Sequence, residues 1–73
     1  MKIHDSASFG ESLRKQRKRL RVTQAMLAEH TGFSVSFISD LENGKPTAEL
    51  GKAIYLANLL GLDVTLTERG GGQ

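Results

Sequence analysis

The 73-residue chain has no cysteine, no tryptophan and a single proline. Without cysteine, neither a disulfide framework nor a thiolate zinc site can stabilise the fold. The amino-terminal stretch MKIHDSASFGES lacks the apolar core of a signal peptide, and no apolar run approaches the length of a membrane-spanning helix. We therefore expect a small cytoplasmic domain. Its stability should be low, because a chain of this size buries only about 60% of its unfolded surface.

Residues that could carry catalysis are also scarce. No nucleophile, base and orienting group recur in a recognisable pattern, and no glycine-rich loop is placed to cradle a phosphate. The two histidines, His4 and His30, have no acidic partner at metal-ligand spacing, so surface positions are expected for both. The sequence predicts a protein that is not an enzyme and that needs no metal or cofactor.

Positive charge is concentrated in one short stretch. The net charge is only +2, but RKQRKRLR holds six of the ten lysines and arginines: Arg14, Lys15, Arg17, Lys18, Arg19 and Arg21. Such a cluster suits a polyanion, usually nucleic acid. A solvated helix face would have the same composition, and charge alone does not separate the two.

Four short helices are predicted from the spacing of apolar residues and from capping signals. The first should run from about Ser6 or Phe9 to Leu20, capped either by Asp5 or by Ser8 in a capping box. Its apolar face would be Phe9, Leu13 and Leu20. The second should follow the N-cap Thr23 and end at Thr31, with Met26, Leu27 and Ala28 as its apolar face.

The third and fourth helices follow glycine-containing turns. Gly32 marks a turn, Ser34 caps the third helix, and Asn43-Gly44 ends it after about Glu42. The fourth helix should begin at the N-cap Thr47. Its core-facing stripe would be Leu50, Ala53, Ile54, Ala57 and Leu60.

The last segment changes period. From Leu62 to Leu66, apolar and polar residues alternate strictly, which is typical of a half-buried strand. A lone strand needs a partner, and a second copy of the chain is the available one. We expect residues 1–61 to form the helical domain and residues 62–73 to be a dimerisation strand with a flexible tail. The pairing residues would be Leu62, Asp63, Val64, Thr65, Leu66 and Thr67.

The stretch TQAMLAEHTGFSVSFISDLENG predicts a helix-turn-helix, in which the small Ala28 and the turn at Gly32 let two helices cross closely. The pattern TQxxLAxxxGxSxxxISxLENG, preceded by LRxxRxxxxVTQ, resembles the lambda-repressor/Cro-like class, also called the XRE family. The resemblance covers roughly residues 9–61. It implies a mainly α, four-helix domain that binds double-stranded DNA.

The resemblance also implies roles for particular residues. Gln24 would contact a phosphate and also brace a recognition-helix side chain, and Arg17 would pair with Glu42 or reach a phosphate. The recognition-helix positions that face bases or phosphates would be Ser34, Val35, Ser36, Ser39 and Asp40. Asn43 and Lys45 would touch the sugar-phosphate backbone, which positions a protein without reading sequence.

Four positions depart from the family pattern or carry more than one interpretation. Val35 and Ser36 stand where relatives often carry glutamine, so base preference cannot be transferred from them. Asp40 could accept from a cytosine amino group, although a solvated acid is the favoured interpretation. Arg21 stands where the family often has glycine; either it adopts a left-handed conformation or the turn differs.

The carboxy-terminal strand is similar to that of HipB-like antitoxins. This resemblance implies a homodimeric repressor that binds a pseudo-palindromic operator, controls its own operon and holds a HipA-like kinase toxin. The alternatives are a stand-alone phage-type repressor, a restriction-modification controller, or an interaction module that binds a toxin without binding DNA.

Overall fold

In the computed structural model, which describes residues 2–72 and side chains as far as residue 70, the chain forms four α-helices and one short 3-10 helix. The bounds are α1 Ser6–Arg19, α2 Gln24–Thr31, α3 Val35–Glu42, α4 Leu50–Leu59 and the 3-10 helix Arg69–Gly72. No helix in this described part is both long and apolar enough to cross a membrane. The predicted flexible tail lies partly within the 3-10 helix, and Gln73 lies outside the described residues.

The first helix begins at a reciprocal capping box. The carboxylate of Asp5 accepts from the backbone N–H of Ser8 at 2.7 Å, and the hydroxyl of Ser8 accepts from the backbone N–H of Asp5 at 3.1 Å. Of the two predicted starts, Asp5 is therefore the cap and Ser8 is its partner. Thr23 and Ser34 cap α2 and α3 as predicted, each accepting from a backbone N–H three residues onward.

Three helices end in Schellman motifs, with one residue in the left-handed region after each helix. At the end of α4, Gly61 has φ 85° and the N–H of Leu62 donates to the carbonyl of Ala57 at 2.8 Å. Gly44 has the same role after α3, and Arg21, with φ 60°, has it after α1. Glycine is usual at this position because it has no Cβ to crowd the backbone. Arg21 therefore adopts the left-handed conformation that was one of its two predicted alternatives.

The core lies where all four helices meet. Its buried apolar side chains are Leu13, Leu27, Ile38, Leu41, Ala53, Leu56, Ala57 and Leu60. Two residues predicted on the apolar faces of α1 and α2 are instead exposed, Leu20 at 46% and Met26 at 52%. Leu20 is the C-cap of α1 and Met26 lies in the first turn of α2, so both stand at helix ends beyond the buried stripe.

The predicted start of the fourth helix was wrong. The helix begins at Leu50 after the N-cap Glu49, whereas Thr47 lies in a turn. Pro46 and the bond from the N–H of Ala48 to the carbonyl of Lys45 keep this stretch out of the helix, and Ala48 packs against the core. Leu50, predicted to face the core, is 71% exposed as a result.

The first and third helices approach closely at Gly10. A Cβ at this position would lie 2.3 Å from the carbonyl oxygen of Leu41 and 2.7 Å from that of Glu42. Because backbone atoms cannot give way like a flexible side chain, only glycine permits this crossing. The close approach fixes α3 against α1.

Residues 62–68 have no regular secondary structure in the single chain, so the predicted strand is not present there. Leu62 packs against the core, but Val64 is 45% exposed and Leu66 is 98% exposed. A strand requires a hydrogen-bonding neighbour, and none of the described residues offers an edge to this segment. The alternating pattern therefore has no partner within one chain.

Candidate nucleic-acid interface

The turn between α2 and α3 brings these helices together. Gly32 has φ 81°, and its N–H donates to the carbonyl of Ala28 at 2.8 Å. The hydroxyl of Thr31 donates to the carbonyl of Leu27 at 2.8 Å and accepts from the N–H of Phe33 at 3.1 Å. These bonds tie the last turn of α2 to the residues that follow it. The turn thus has the compact geometry of a helix-turn-helix.

The face of α3 opposite the core is open to solvent. Ile38, at 1% exposure, and Leu41 anchor the helix on the inside, while Val35 is 45% exposed on the outside. Ser34 and Ser36 are exposed and Ser39 is half-buried. The hydroxyl of Ser34 accepts from the N–H of Phe37 at 2.9 Å, which leaves its own proton able to donate. These short side chains give the face hydrogen-bonding groups without much bulk.

Two residues after α3 are tied to that helix by their side chains. Asn43 Nδ2 donates to the Ser39 hydroxyl at 3.4 Å, and Lys45 Nζ lies 3.3 Å from the Asp40 carboxylate. Both Asn43 and Lys45 remain exposed. Asp40 was expected as a solvated acid or a base contact. In the structure it is half-buried and paired with Lys45. The loop presents its donors beside the exposed face of α3.

The expected ion pair between Arg17 and Glu42 is present and buried. Arg17 Nε and Nη2 donate to the two carboxylate oxygens of Glu42 at 2.6 and 2.9 Å. The exposed fractions are 8% for Arg17 and 6% for Glu42. Arg17 Nη1 also donates to the carbonyl of Val22 at 2.8 Å. This two-pronged geometry is the favourable one for an arginine–carboxylate pair, and it joins α1 to the end of α3.

Glu42 also receives a hydrogen bond from the second helix. Gln24 Nε2 donates to Glu42 Oε1 at 3.0 Å. Of the two roles implied for Gln24, the structure contains the bracing contact to α3. Burial raises the pKa of Glu42. The hydrogen bonds from Arg17 and Gln24 and the nearby guanidinium charges lower this pKa by more than burial raises it, so the pKa lies below its ordinary value. The carboxylate is thus held ionised where three helices meet.

Arg17 is diverted from the basic cluster into this pair. The other members are exposed: Arg14, Lys15, Lys18, Arg19 and Arg21. Lys15 forms an ion pair with Glu11 at 3.4 Å, and Arg19 Nε donates to the side chain of Gln16 at 3.1 Å. A cationic surface therefore remains along α1, with one fewer charge than the sequence indicates.

Two positioning residues were missed in the sequence. Gly10 sets the separation of α1 and α3, and its signal is a single glycine inside a helical pattern, which the sequence prediction did not use. Gln16 Nε2 donates to the carbonyl of Leu60 at 2.8 Å, linking α1 to the end of α4. No local pattern indicates that contact, because it joins residues 44 positions apart.

Three of the four aromatic residues form a small group beside the turn. Phe33 meets Phe37 and Tyr55 edge to face, with ring centroids 5.5 and 5.9 Å apart. The two phenylalanines pack against the core, and Tyr55 is 48% exposed. Their role is consistent with packing at the rim of the core, and Lys52 Nζ lies over the Phe33 ring at 5.4 Å.

Comparison with known proteins finds similarity to helix-turn-helix proteins. The family model described as "Helix-turn-helix domain" matches residues 8–70. A relative from Sinorhizobium fredii (strain NBRC 101917 / NGR234), named "Uncharacterized HTH-type transcriptional regulator y4mF", is 36% identical over 69 residues, covering 94% of this chain and 91% of the relative.

Solved structures of HipB are similar over nearly the whole chain. A complex of a HipB variant with an O2 20mer matches with a TM-score of 0.84 at 26% identity, covering 94% of this chain and 96% of the matched chain. A HipB-O4 20mer complex and a HipA-HipB-O2-O3 complex match with the same TM-score at 25% identity, covering 94% of this chain and 97% of each matched chain.

Proposed function

Because this chain belongs to the helix-turn-helix domain family of transcriptional regulators, we propose that it is a sequence-specific DNA-binding repressor that acts as a homodimer and serves as the antitoxin of a HipBA-like toxin-antitoxin system. The observation that carries the proposal is the likeness to HipB in complexes with 20mers, which extends over 94% of the chain. A likeness confined to the helix-turn-helix would favour a generic regulator.

The exposed face of α3 supports major-groove binding. Its outward side chains are short and polar apart from Val35, which offers a methyl surface for thymine. The loop donors Asn43 and Lys45 flank this face, where a phosphate backbone would pass. We therefore assign base reading to Val35, Ser36 and Ser39, and backbone contact to Gln24, Ser34, Asn43 and Lys45.

The DNA-binding half of the proposal is tested by a mobility-shift titration on the DNA upstream of the chain's own gene. Binding should weaken steeply between low and high salt, because affinity depends on cations released from phosphates. Ser36→Ala and Ser39→Ala should change the preference among operator variants, whereas Asn43→Ala should weaken all sequences alike. No shift at low salt would leave only the interaction-module alternative.

The carboxy-terminal segment supports dimerisation. Leu62, Val64 and Leu66 share one side of an extended chain, and exposure increases along the series as the segment leaves the core. A groove of about 940 Å³ lies between this segment and α1, with Phe9 and Leu13 in its lining. A second copy of the segment would pair with the first and cover these apolar side chains. Two recognition helices would then be held about one helical turn of DNA, roughly 34 Å, apart.

Dimerisation is tested by sedimentation of matched variants. Leu66→Lys places a charge on the apolar side of the segment, and Thr65→Lys places the same charge on the other side one residue away. Leu66→Lys should shift the protein towards monomer, and Thr65→Lys should leave the dimer intact. Equal behaviour of the two variants would contradict pairing through this segment.

The proposed toxin partner is supported by the similarity to HipB in the HipA-HipB-O2-O3 complex. An adjacent gene encoding a HipA-like kinase would supply that partner. Co-purification of the two proteins in a fixed ratio, and stronger operator binding by the pair, are the expected results. A neighbouring gene for a restriction enzyme, or the absence of any co-purifying neighbour, would favour the controller or phage-type alternatives.

A further inference from the structure

Lys45 is held by Asp40 through both backbone and side chain. Its N–H donates to the carbonyl oxygen of Asp40 at 3.0 Å, and its Nζ lies 3.3 Å from the carboxylate of the same residue. The backbone bond belongs to the Schellman motif that ends α3, and this motif places the two side chains next to each other. The ion pair is therefore a consequence of how the helix ends.

Helix stability does not account for an acid at position 40. A carboxylate in the last turn of a helix faces the negative end of the helix dipole, which is unfavourable. Residues that meet across a Schellman motif are usually apolar. The side chains of Lys45 and Asp40 are 56% and 46% exposed, so their attraction is weakened by solvent. A role outside folding is a better account of the pair.

We propose that Asp40 is an intramolecular counter-ion that neutralises Lys45 and thereby lowers the affinity of this surface for DNA of any sequence. The proposal rests on the proposed function, because Lys45 must face phosphate. A lysine already paired with a carboxylate displaces fewer cations from DNA than a free lysine. A phosphate contact carries no sequence information, so the affinities for the operator and for arbitrary DNA should fall alike. A larger share of the operator affinity then comes from base contacts.

The test is a four-protein cycle: wild type, Asp40→Asn, Lys45→Gln and the double variant. Each is titrated by fluorescence anisotropy against a 30-base-pair duplex of arbitrary sequence at 50 and 200 mM salt. If Asp40→Asn frees one phosphate-neutralising charge per subunit, the affinity of the dimer should fall about 12-fold more across this salt range than that of wild type. Lys45→Gln should change the salt dependence little in wild type and should remove most of the gain in the Asp40→Asn background.

Glu29→Gln is the matched control. It also removes one negative charge per subunit, and Glu29 belongs to none of the ion pairs formed among the described residues. An equal gain from Glu29→Gln would mean that overall charge, and not the pair, sets the affinity, and would overturn the inference. Weaker binding by Asp40→Asn with an unchanged salt slope would also overturn it, because that result indicates a direct contact of Asp40 with a base. Absence of binding by wild type at low salt would refute the proposed function itself.

Discussion

Substitution of Arg17 by methionine should destabilise the domain far more than loss of an exposed charge. Arg17→Met keeps most of the aliphatic volume but leaves the Glu42 carboxylate buried at 6% exposure. Of the two side chains that donate to this carboxylate, only Gln24 would remain. Removing one member of a buried pair costs about 3–5 kcal/mol, because the other charge stays without its partner. A chain of this length has a total stability of roughly 4–11 kcal/mol. The variant should therefore be close to unfolding.

Urea denaturation followed by circular dichroism measures this cost directly. A loss of 3 kcal/mol should also lower the Tm by about 12–24 °C in a domain of this size. Lys18→Met is the control, since it removes an exposed cation from the same helix. If Arg17→Met cost no more than Lys18→Met, the reasoning that the pair is buried and coupled would be refuted.

The pH dependence gives a second, independent check on Glu42. Its pKa is lowered in the folded wild type, so its contribution to stability is present above the unfolded pKa and is lost as pH falls through the folded value. Without Arg17, burial dominates and the pKa should rise instead. A carboxyl group with a raised pKa contributes stability at low pH, and this contribution is lost as pH increases. The cost of Arg17→Met should therefore be smaller at pH 4 than at pH 7, and a cost independent of pH would contradict this account.

Three further substitutions test the backbone and the helix contacts by thermal and urea unfolding. Gly10→Ala should lower the free energy of unfolding by about 1–3 kcal/mol or more, because the added Cβ meets two carbonyl oxygens. Gly51→Ala is its control and should be neutral or stabilising, because Gly51 lies in a helix with open space around it. Arg21→Gly should stabilise by roughly 0.5–1 kcal/mol by relieving a left-handed conformation, and Arg21→Ala, which removes the same charge, should not. Gln16→Ala should cost about 0.5–1.5 kcal/mol through the lost bond to α4.

Features set by short-range chemistry could be read from the sequence. The caps Thr23 and Ser34 and the turn at Gly32 depend on a few neighbouring residues, and all three were predicted in place. The left-handed conformation of Arg21 was one of the two alternatives that followed from the family resemblance. At these positions the determining atoms lie within about one helical turn, although the equally local prediction of Thr47 as the cap of α4 was wrong.

Features set by tertiary packing were less accessible. Periodicity placed Leu50 in the core, although the turn after Pro46 takes Ala48 there and leaves Leu50 exposed. Leu56, which is 1% exposed, was not in the predicted stripe. The pattern of α4 is ambiguous because both faces carry apolar residues, and only the neighbouring helices decide which face is buried. The DNA-binding assignments and the strand remain predictions, since each concerns a second molecule.

The arrangement of α3 separates the residues that hold the helix in place from those proposed to read DNA. Its inner side holds Ile38 and Glu42, and the buried pair with Arg17 fixes the helix on α1. Its outer side holds the exposed Val35 and Ser36. Exposed substitutions of this kind usually change stability by less than about 0.5 kcal/mol. Substitution of the outer residues should therefore change DNA preference while the helix keeps its position. Ser36 variants with altered DNA preference should unfold at the same urea concentration as wild type.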